Sequence, residues 1–302
     1  MATVDITGGI DADESVSSKA LEERLQKSIH RAFAAGGPRG QQAKNFLNGT
    51  WLGHPLHSVL TDIPVGAWTA ALVCDGVGLM SGSATLAGAA DSAVAIGLAG
   101  ALAAAAAGIT DWQDADAPAR RLGMIHGVLN LAGTALFAAS LVARRRKARP
   151  AGRVLGVLGF GTMIAAARLG GQMVFDHRVG VDRTAGQEFP ADFTPVLPAA
   201  ALAEDQPTRA EHAGVPILLV RRSGRIFAMA ETCSHFSGPL SEGKLVGMSI
   251  ECPWHHSRFA LEDGRVLDGP AVHPQPCLVT RVRNGQIEVR KAPRPAALPP
   301  SA

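Results

Sequence analysis

Hydrophobic positions are spread unevenly along this chain. Residues 14–36 (ESVSSKALEERLQKSIHRAFAAG) carry apolar side chains at helical spacing among mixed charges. That pattern predicts an amphipathic helix, ended by Gly36, Gly37 and Pro38. Four nearly uncharged segments follow, near 58–80, 86–109, 122–143 and 154–174. Each is close to the ~20 residues that a helix needs to cross a hydrocarbon core of ~30 Å. The second is the clearest, since AVAIGLAGALAAAAAGI carries no charge. A buried Ala-rich bundle in a soluble protein competes with this reading, but four such spans with short connections are hard to bury. Their Gly, Ala and Ser content suits close helix packing in lipid.

From 216 the period changes to that of strands: PILLVRR, RIFAMAET and MSIECP. LVTRVRNGQIEVR at 278–290 predicts a hairpin turning at Asn284-Gly285. Residues 184–200 (TAGQEFPADFTPVLPAA) read as a Pro-containing linker, and APRPAALPPSA at 292–302 as a disordered tail. The chain therefore divides into an N-terminal tail with a helix (1–45), a four-span membrane domain (46–180), a linker (181–200), a β domain (201–291) and the tail (292–302). The fold class is multi-domain: a four-helix transmembrane bundle followed by a small antiparallel all-β domain.

Composition adds little to this outline. A net charge of +3 over 302 residues implies no nucleic-acid partner. The four cysteines, Cys74, Cys233, Cys252 and Cys277, do not form a secreted disulfide framework. The N-terminal residues lack the basic and apolar regions of a signal peptide. No nucleotide-binding glycine motif is present.

Two short motifs carry the chemistry. Cys233-Ser234-His235 and Cys252-Pro253-Trp254-His255 are separated by sixteen residues. Two thiolates can hold one iron and two imidazoles the other, as in a mixed-ligand [2Fe-2S] centre. Two Cys and two His also make a tetrahedral zinc set, although a one-residue Cys-x-His gap is unusual there.

The stretch CSHFSGPLSEG…ECPWHHSRFALEDGRVLDGPA resembles the Rieske family, and within it the small bacterial ferredoxins that feed ring-hydroxylating dioxygenases. The resemblance spans roughly 192–291. It implies that Cys233 and Cys252 hold the buried iron of a [2Fe-2S] cluster, and that His235 and His255 hold the outer iron. Cytochrome bc-type relatives have an extra cysteine in each loop, where this chain has Gly238 and Trp254. They also set a serine and a tyrosine hydroxyl against cluster sulfurs; here Ser257 is present and Phe259 replaces the tyrosine. Fewer hydrogen bonds to sulfur imply a potential below that of the bc type. His256 stands where the family usually has glycine and reads as an exposed surface residue. Only 47 residues follow His255, too few for the second iron domain of a terminal oxygenase.

Residues 46–180, with LGHPLHSVLTDIPVGAW, the CDG of Cys74-Asp75-Gly76, and the later DW and HG pairs, resemble a bacterial four-span family known only as domain of unknown function 2231. Ionisable groups within or beside the spans include Asp62, Asp75, Asp91, Asp111, His126 and Arg168, and such groups at membrane depth are functional candidates. By alternation of the spans, His54, His57, His126 and His177 gather toward the end leading into the β domain. Imidazoles on facing helices suit haem b or another metal. Capping and bonding to carboxylates is the plainer role for the same side chains.

The leading expectation is a membrane-tethered electron carrier with no catalytic residue of its own, working with a redox partner protein or membrane electron carrier and the lipid bilayer. A haem- or quinone-linked oxidoreductase using both domains, and a non-catalytic redox sensor, are the alternatives. The basic loop RRRKARPAGR at 144–153 argues for a cytoplasmic third loop, while the missing disulfide favours a cytoplasmic Rieske domain on a multi-pass membrane protein.

Overall fold

The computed structural model describes residues 16–292; the tail expected beyond and the polar start lie outside them. Six helices come first: α1 Val16–Ala35, α2 Gly37–Asn48, α3 Leu56–Ser81, α4 Ala84–Trp112, α5 Ala117–Arg145 and α6 Arg149–Phe175. The strands follow: β1 Thr194–Pro198, β2 Thr208–His212, β3 Val215–Arg222, β4 Arg225–Ala230, β5 Lys244–Val246, β6 Ser249–Glu251, β7 Arg258–Ala260, β8 Val266–Asp268, β9 Cys277–Arg283 and β10 Gln286–Lys291. The chain divides into two compact units. One comprises Met1–Gln41 and His57–Val179, the other Gln42–Leu56 and Gly180–Ala302.

In the helical unit, α3 to α6 are each long and apolar enough to cross a membrane, with mean hydropathy of 1.5 to 2.0. Valines, leucines and isoleucines such as Val73, Leu79, Leu102, Leu131, Val157 and Ile164 point outward and exposed. A helix that is apolar all round belongs in an apolar surrounding. The internal contacts are made by small residues. A Cβ on Gly97 would sit 2.2 Å from Trp68 Nε1, and one on Gly100 would sit 2.5 Å from Ile63 Cγ2. Trp68 and Phe137 stack at a centroid distance of 4.0 Å within a core of Ala71, Val94 and Met163. The expected N-terminal helix is present as α1 and is tied to the turn between α4 and α5. Gln26 Nε2 donates to Trp112 O at 3.0 Å, and Arg120 Nε donates to Glu22 Oε2 at 3.2 Å.

Two of the acidic residues read as functional candidates are bound structurally. Arg144 pairs with Asp75 and donates from Nη1 to Asp91 Oδ1 at 3.2 Å. Arg149 Nη2 donates to Asp91 Oδ2 at 2.7 Å, and Arg153 Nε approaches Asp75 Oδ1 at 3.4 Å. Half of the basic charge in the third loop is thus engaged with carboxylates of α3 and α4. A Cβ on Gly152 would meet Arg144 Cγ at 2.7 Å, so this glycine gives the guanidinium its path.

The β unit holds two antiparallel sheets, one ordered β1-β10-β9-β4-β3-β2 and the other β5-β6-β7-β8. β3 explains why its sequence reads ILLV without alternation. Leu218 and Val220 enter one buried cluster, while Ile217 and Leu219 enter a second on the opposite face. Burial of each such side chain is worth roughly 1.5–3 kcal/mol. The hairpin at Asn284-Gly285 forms as its sequence predicts, with both residues at positive φ and β9 paired to β10. The stretch read as linker contains β1, an edge strand paired to β10 with a register shift between Pro195 and Leu197. An edge position tolerates the prolines that disguised it.

Candidate functional site

Two loops, one between β4 and β5 and one between β6 and β7, bring the four motif residues together. The first runs from Cys233 and the second from Cys252, and both are closed by the same bonds. Cys233 N donates to Gly238 O at 2.9 Å and Ser237 N to Cys233 O at 3.0 Å. In the second loop Cys252 N donates to Ser257 O at 2.8 Å and His256 N to Cys252 O at 3.2 Å. The fourth residue after each cysteine, Ser237 or His256, has positive φ. His256 therefore occupies a backbone position that glycine fills most easily. Its side chain is exposed and its Nδ1 lies 3.0 Å from Glu251 Oε1.

Cys233 and Cys252 are buried, and their thiols lie within hydrogen-bond range of each other. That bond, with N–H groups of Trp254 and His255 aimed at the sulfur, brings the Cys252 thiol down to about 7. The Cys233 thiol is pushed well up by the same bond and by burial. The rings of His235 and His255 meet edge to face at 5.1 Å. His235 Nδ1 is buried with no hydrogen-bond partner among the described residues. A buried nitrogen left so is costly unless it serves a ligand. Burial first, then the charges of His255, Lys44 and Arg183, hold the His235 imidazole well below the usual histidine range, so it is neutral and able to donate a lone pair. Between the loops, a Cβ on Gly238 would lie 2.7 Å from Cys252 Sγ, so the glycine keeps space open beside the sulfur. Among the described residues no three of His, Cys, Asp and Glu converge on one ion. A binuclear cluster takes two protein ligands per iron, which this set could supply.

The sequence motifs did not reveal what supports the loops. Gln275 is buried and accepts from Ser234 N through Oε1 at 2.8 Å. Its Nε2 donates to Ala230 O at 3.0 Å and Thr232 O at 2.9 Å. Gln275→Leu is expected to cost about 2–4 kcal/mol, because it strands a buried N–H and two carbonyls. Urea unfolding of the full chain, followed by the cluster's visible absorption, would check this. Ser257 is buried as well; its Oγ accepts from Ala271 N at 2.9 Å. Arg183 N donates to Ser234 O at 3.0 Å, and the Arg183 guanidinium sits 5.3 Å from the Phe236 ring centroid. Asn45 Nδ2 donates to Asp268 Oδ1 at 3.0 Å, and Gly269 N donates to Asn45 Oδ1 at 2.9 Å, which fixes the segment carrying Lys44 to the β unit. The third thiol of this unit, Cys277, is pushed up to about 11 by burial and stays inert.

The chain is similar to known proteins over two stretches. The family described as Rieske [2Fe-2S] domain matches residues 192–284. The anthranilate 1,2-dioxygenase ferredoxin subunit of Burkholderia cepacia is 30% identical over 99 residues, 33% of this chain and 92% of the relative. The chain belongs to the Rieske [2Fe-2S] family. The biphenyl 2,3-dioxygenase ferredoxin component of Rhodococcus jostii is 31% identical over 96 residues, 32% of this chain and 90% of the relative. The solved ferredoxin of carbazole 1,9a-dioxygenase from Nocardioides aromaticivorans IC177 aligns at 26% identity, over 34% of this chain and 100% of its own, with a TM-score of 0.32. Ahead of the Rieske domain, residues 53–183 match a family described as predicted membrane protein (DUF2231). A Rieske domain is an electron-transfer unit built on a [2Fe-2S] cluster.

Of the four histidines considered in the helical part, the structure brings His57 and His126 together at a ring-centroid distance of 6.3 Å. His54 falls in the β-containing unit, and His177 follows the end of α6.

Proposed function

We propose that this protein is a membrane-tethered Rieske electron carrier. Cys233 and Cys252 would hold one iron, and His235 and His255 the other. The convergence of both motifs from two identically bonded loops carries this reading. When bound, the cluster supplies a one-electron couple with a potential in the range of about −150 to +300 mV. The chain's own residues bury the thiolates, keep His235 neutral and leave Trp254 and Pro253 exposed beside His255. The Ser257 oxygen accepts from Ala271 and so keeps its own proton to offer toward a sulfur. Lys44 and Arg183 add positive charge beside His235. A charge several ångströms away at an effective dielectric of ~20 is worth about 1–2 kcal/mol. Lys44→Met is therefore expected to lower the midpoint potential by tens of millivolts, read by protein-film voltammetry; an unchanged potential contradicts the electrostatic role.

The tether is the four-helix unit, and the donor or acceptor is a redox protein or a membrane electron carrier; the relatives named as ferredoxin parts of dioxygenase systems support a protein partner. We place the Rieske domain in the cytoplasm, supported by loops that lack a disulfide and by the engagement of Arg144, Arg149 and Arg153 in ion pairs. Carbonate washing of membranes, with a reporter at the C-terminus, tests both points. Release of the protein by the wash sinks the tether, and an external reporter sinks the orientation. A second reading, an oxidoreductase using both units, is favoured by the meeting of His57 and His126.

A further inference from the structure

The helical unit repeats one hairpin. On α3, His57, Trp68 and Asp75 follow one another at intervals of 11 and 7 residues, as His126, Phe137 and Arg144 do on α5. On α4, Gly97, Ala104 and Gly108 are spaced as Gly159, Ala166 and Gly170 are on α6. The contacts repeat with the spacing. His57 Nδ1 lies 2.8 Å from Ala104 O, and His126 Nδ1 lies 2.8 Å from Ala166 O. A Cβ on Gly108 would meet His57 Cε1 at 2.9 Å, and one on Gly170 would meet His126 Cε1 at 3.3 Å. Gly97 gives room to Trp68 as Gly159 does to Phe137.

Equivalent residues also meet one another. Trp68 stacks on Phe137, Asp75 pairs with Arg144, and the His57 and His126 rings face at 6.3 Å with an interplanar angle of 84°. Three such meetings mark a pseudo-two-fold axis between the hairpins. Two of them explain themselves, one as core and one as an ion pair. The histidine pair does neither. It lies outside the buried cluster of Trp68, Ala71, Val94, Phe137 and Met163, and residues 121–126 and 169–173 on α5 and α6 are only half-buried. Gln172 Oε1, in the latter segment, is buried without a hydrogen-bond partner among the described residues.

A carbonyl can only accept, so each Nδ1 carries the proton and each Nε2 keeps a lone pair. Donation from the far ring nitrogen to a backbone carbonyl is the usual support of a metal-ligating histidine. Asn130 Nδ2 lies 3.0 Å from His126 Nε2 and would have to yield that lone pair. Two metal–imidazole bonds of about 2.0–2.1 Å each, with the half-widths of two rings, roughly span the observed separation. No third His, Cys, Asp or Glu completes a group with them among the described residues. A bare ion would be left short of ligands, whereas haem iron takes two axial residues and its macrocycle supplies the rest.

We propose that the four-helix unit binds one haem b, with His57 and His126 as its axial ligands on the pseudo-two-fold axis. The proposal stands independently of the Rieske assignment. The test uses the full chain purified in detergent and titrated with hemin, followed by the dithionite-reduced visible spectrum. Stoichiometric uptake with sharp low-spin bands is expected. His57→Ala and His126→Ala should each lose the low-spin spectrum while the Rieske paramagnetic signal and the helical circular dichroism persist. His126→Met, which retains an axial donor, should bind haem with shifted bands, and His54→Ala should bind as the parent does. Failure of the parent chain to take up hemin overturns the proposal. So does retention of the low-spin spectrum in either alanine variant, or its loss in His54→Ala.

Discussion

Arg144→Leu is expected to lower the stability of the helical unit by about 3–5 kcal/mol, the usual cost of leaving a buried partner charge uncompensated. Arg144 is 4% exposed and Asp75 5%, so neither charge finds water when the other is removed. Arg153 reaches Asp75 only at 3.4 Å, whereas Arg149 keeps a close bond to Asp91 at 2.7 Å. Asp75 is therefore the group left stranded. Replacing both partners, Asp75→Leu with Arg144→Leu, should recover most of the loss, because two desolvation penalties disappear with the pair. Thermal unfolding of the detergent-solubilised chain, run as a double-mutant cycle, separates these terms. If the single variant lost under about 1 kcal/mol, the pair would be behaving as an exposed one.

Gly238→Ala is expected to empty the cluster site without unfolding the β unit. The added methyl would lie 2.7 Å from Cys252 Sγ and 3.1 Å from Trp254 Cγ. Neither side can give way easily. Gly238 O is held by Cys233 N at 2.9 Å, and Cys252 N is held by Ser257 O at 2.8 Å. Relief must therefore shift one of the two cysteines away from the other. Iron and acid-labile sulfide should fall together, by roughly tenfold, since each 1.4 kcal/mol of misfit costs a factor of ten. Gly186→Ala serves as the control, because a Cβ there meets nothing within 4 Å. Full iron content in Gly238→Ala would show that the space beside the sulfur is not needed.

The two Cys- and His-bearing loops were legible as a pair because their signal is local. Ligand type and spacing lie within a few residues, and a hairpin such as Asn284-Gly285 announces itself by the φ values it demands. The four long helices were legible because length and lack of charge suffice. What escaped was long-range pairing. Gln275 holds the first loop from 41 residues away, and the charge of Lys44 acts on His235 from the N-terminal part of the chain, with no periodicity to flag either. Asp75 and Asp91 read as functional charges within spans, while the structure pairs them with arginines of a loop that had been read for topology alone. β1 was hidden because Pro195 and Pro198 look like linker until an edge partner, β10, is in place. The exposed surface reading of His256 agrees with its position, and its positive φ is one that glycine adopts most easily.

Mixed ligation is the central claim, and pulsed electron paramagnetic resonance of the dithionite-reduced chain tests it most directly. Couplings to two coordinated imidazole nitrogens are expected, one lost in His235→Ala and the other in His255→Ala, each together with most of the cluster. A reduced cluster with no strong nitrogen coupling, or one whose nitrogen couplings survive both substitutions, would contradict the account.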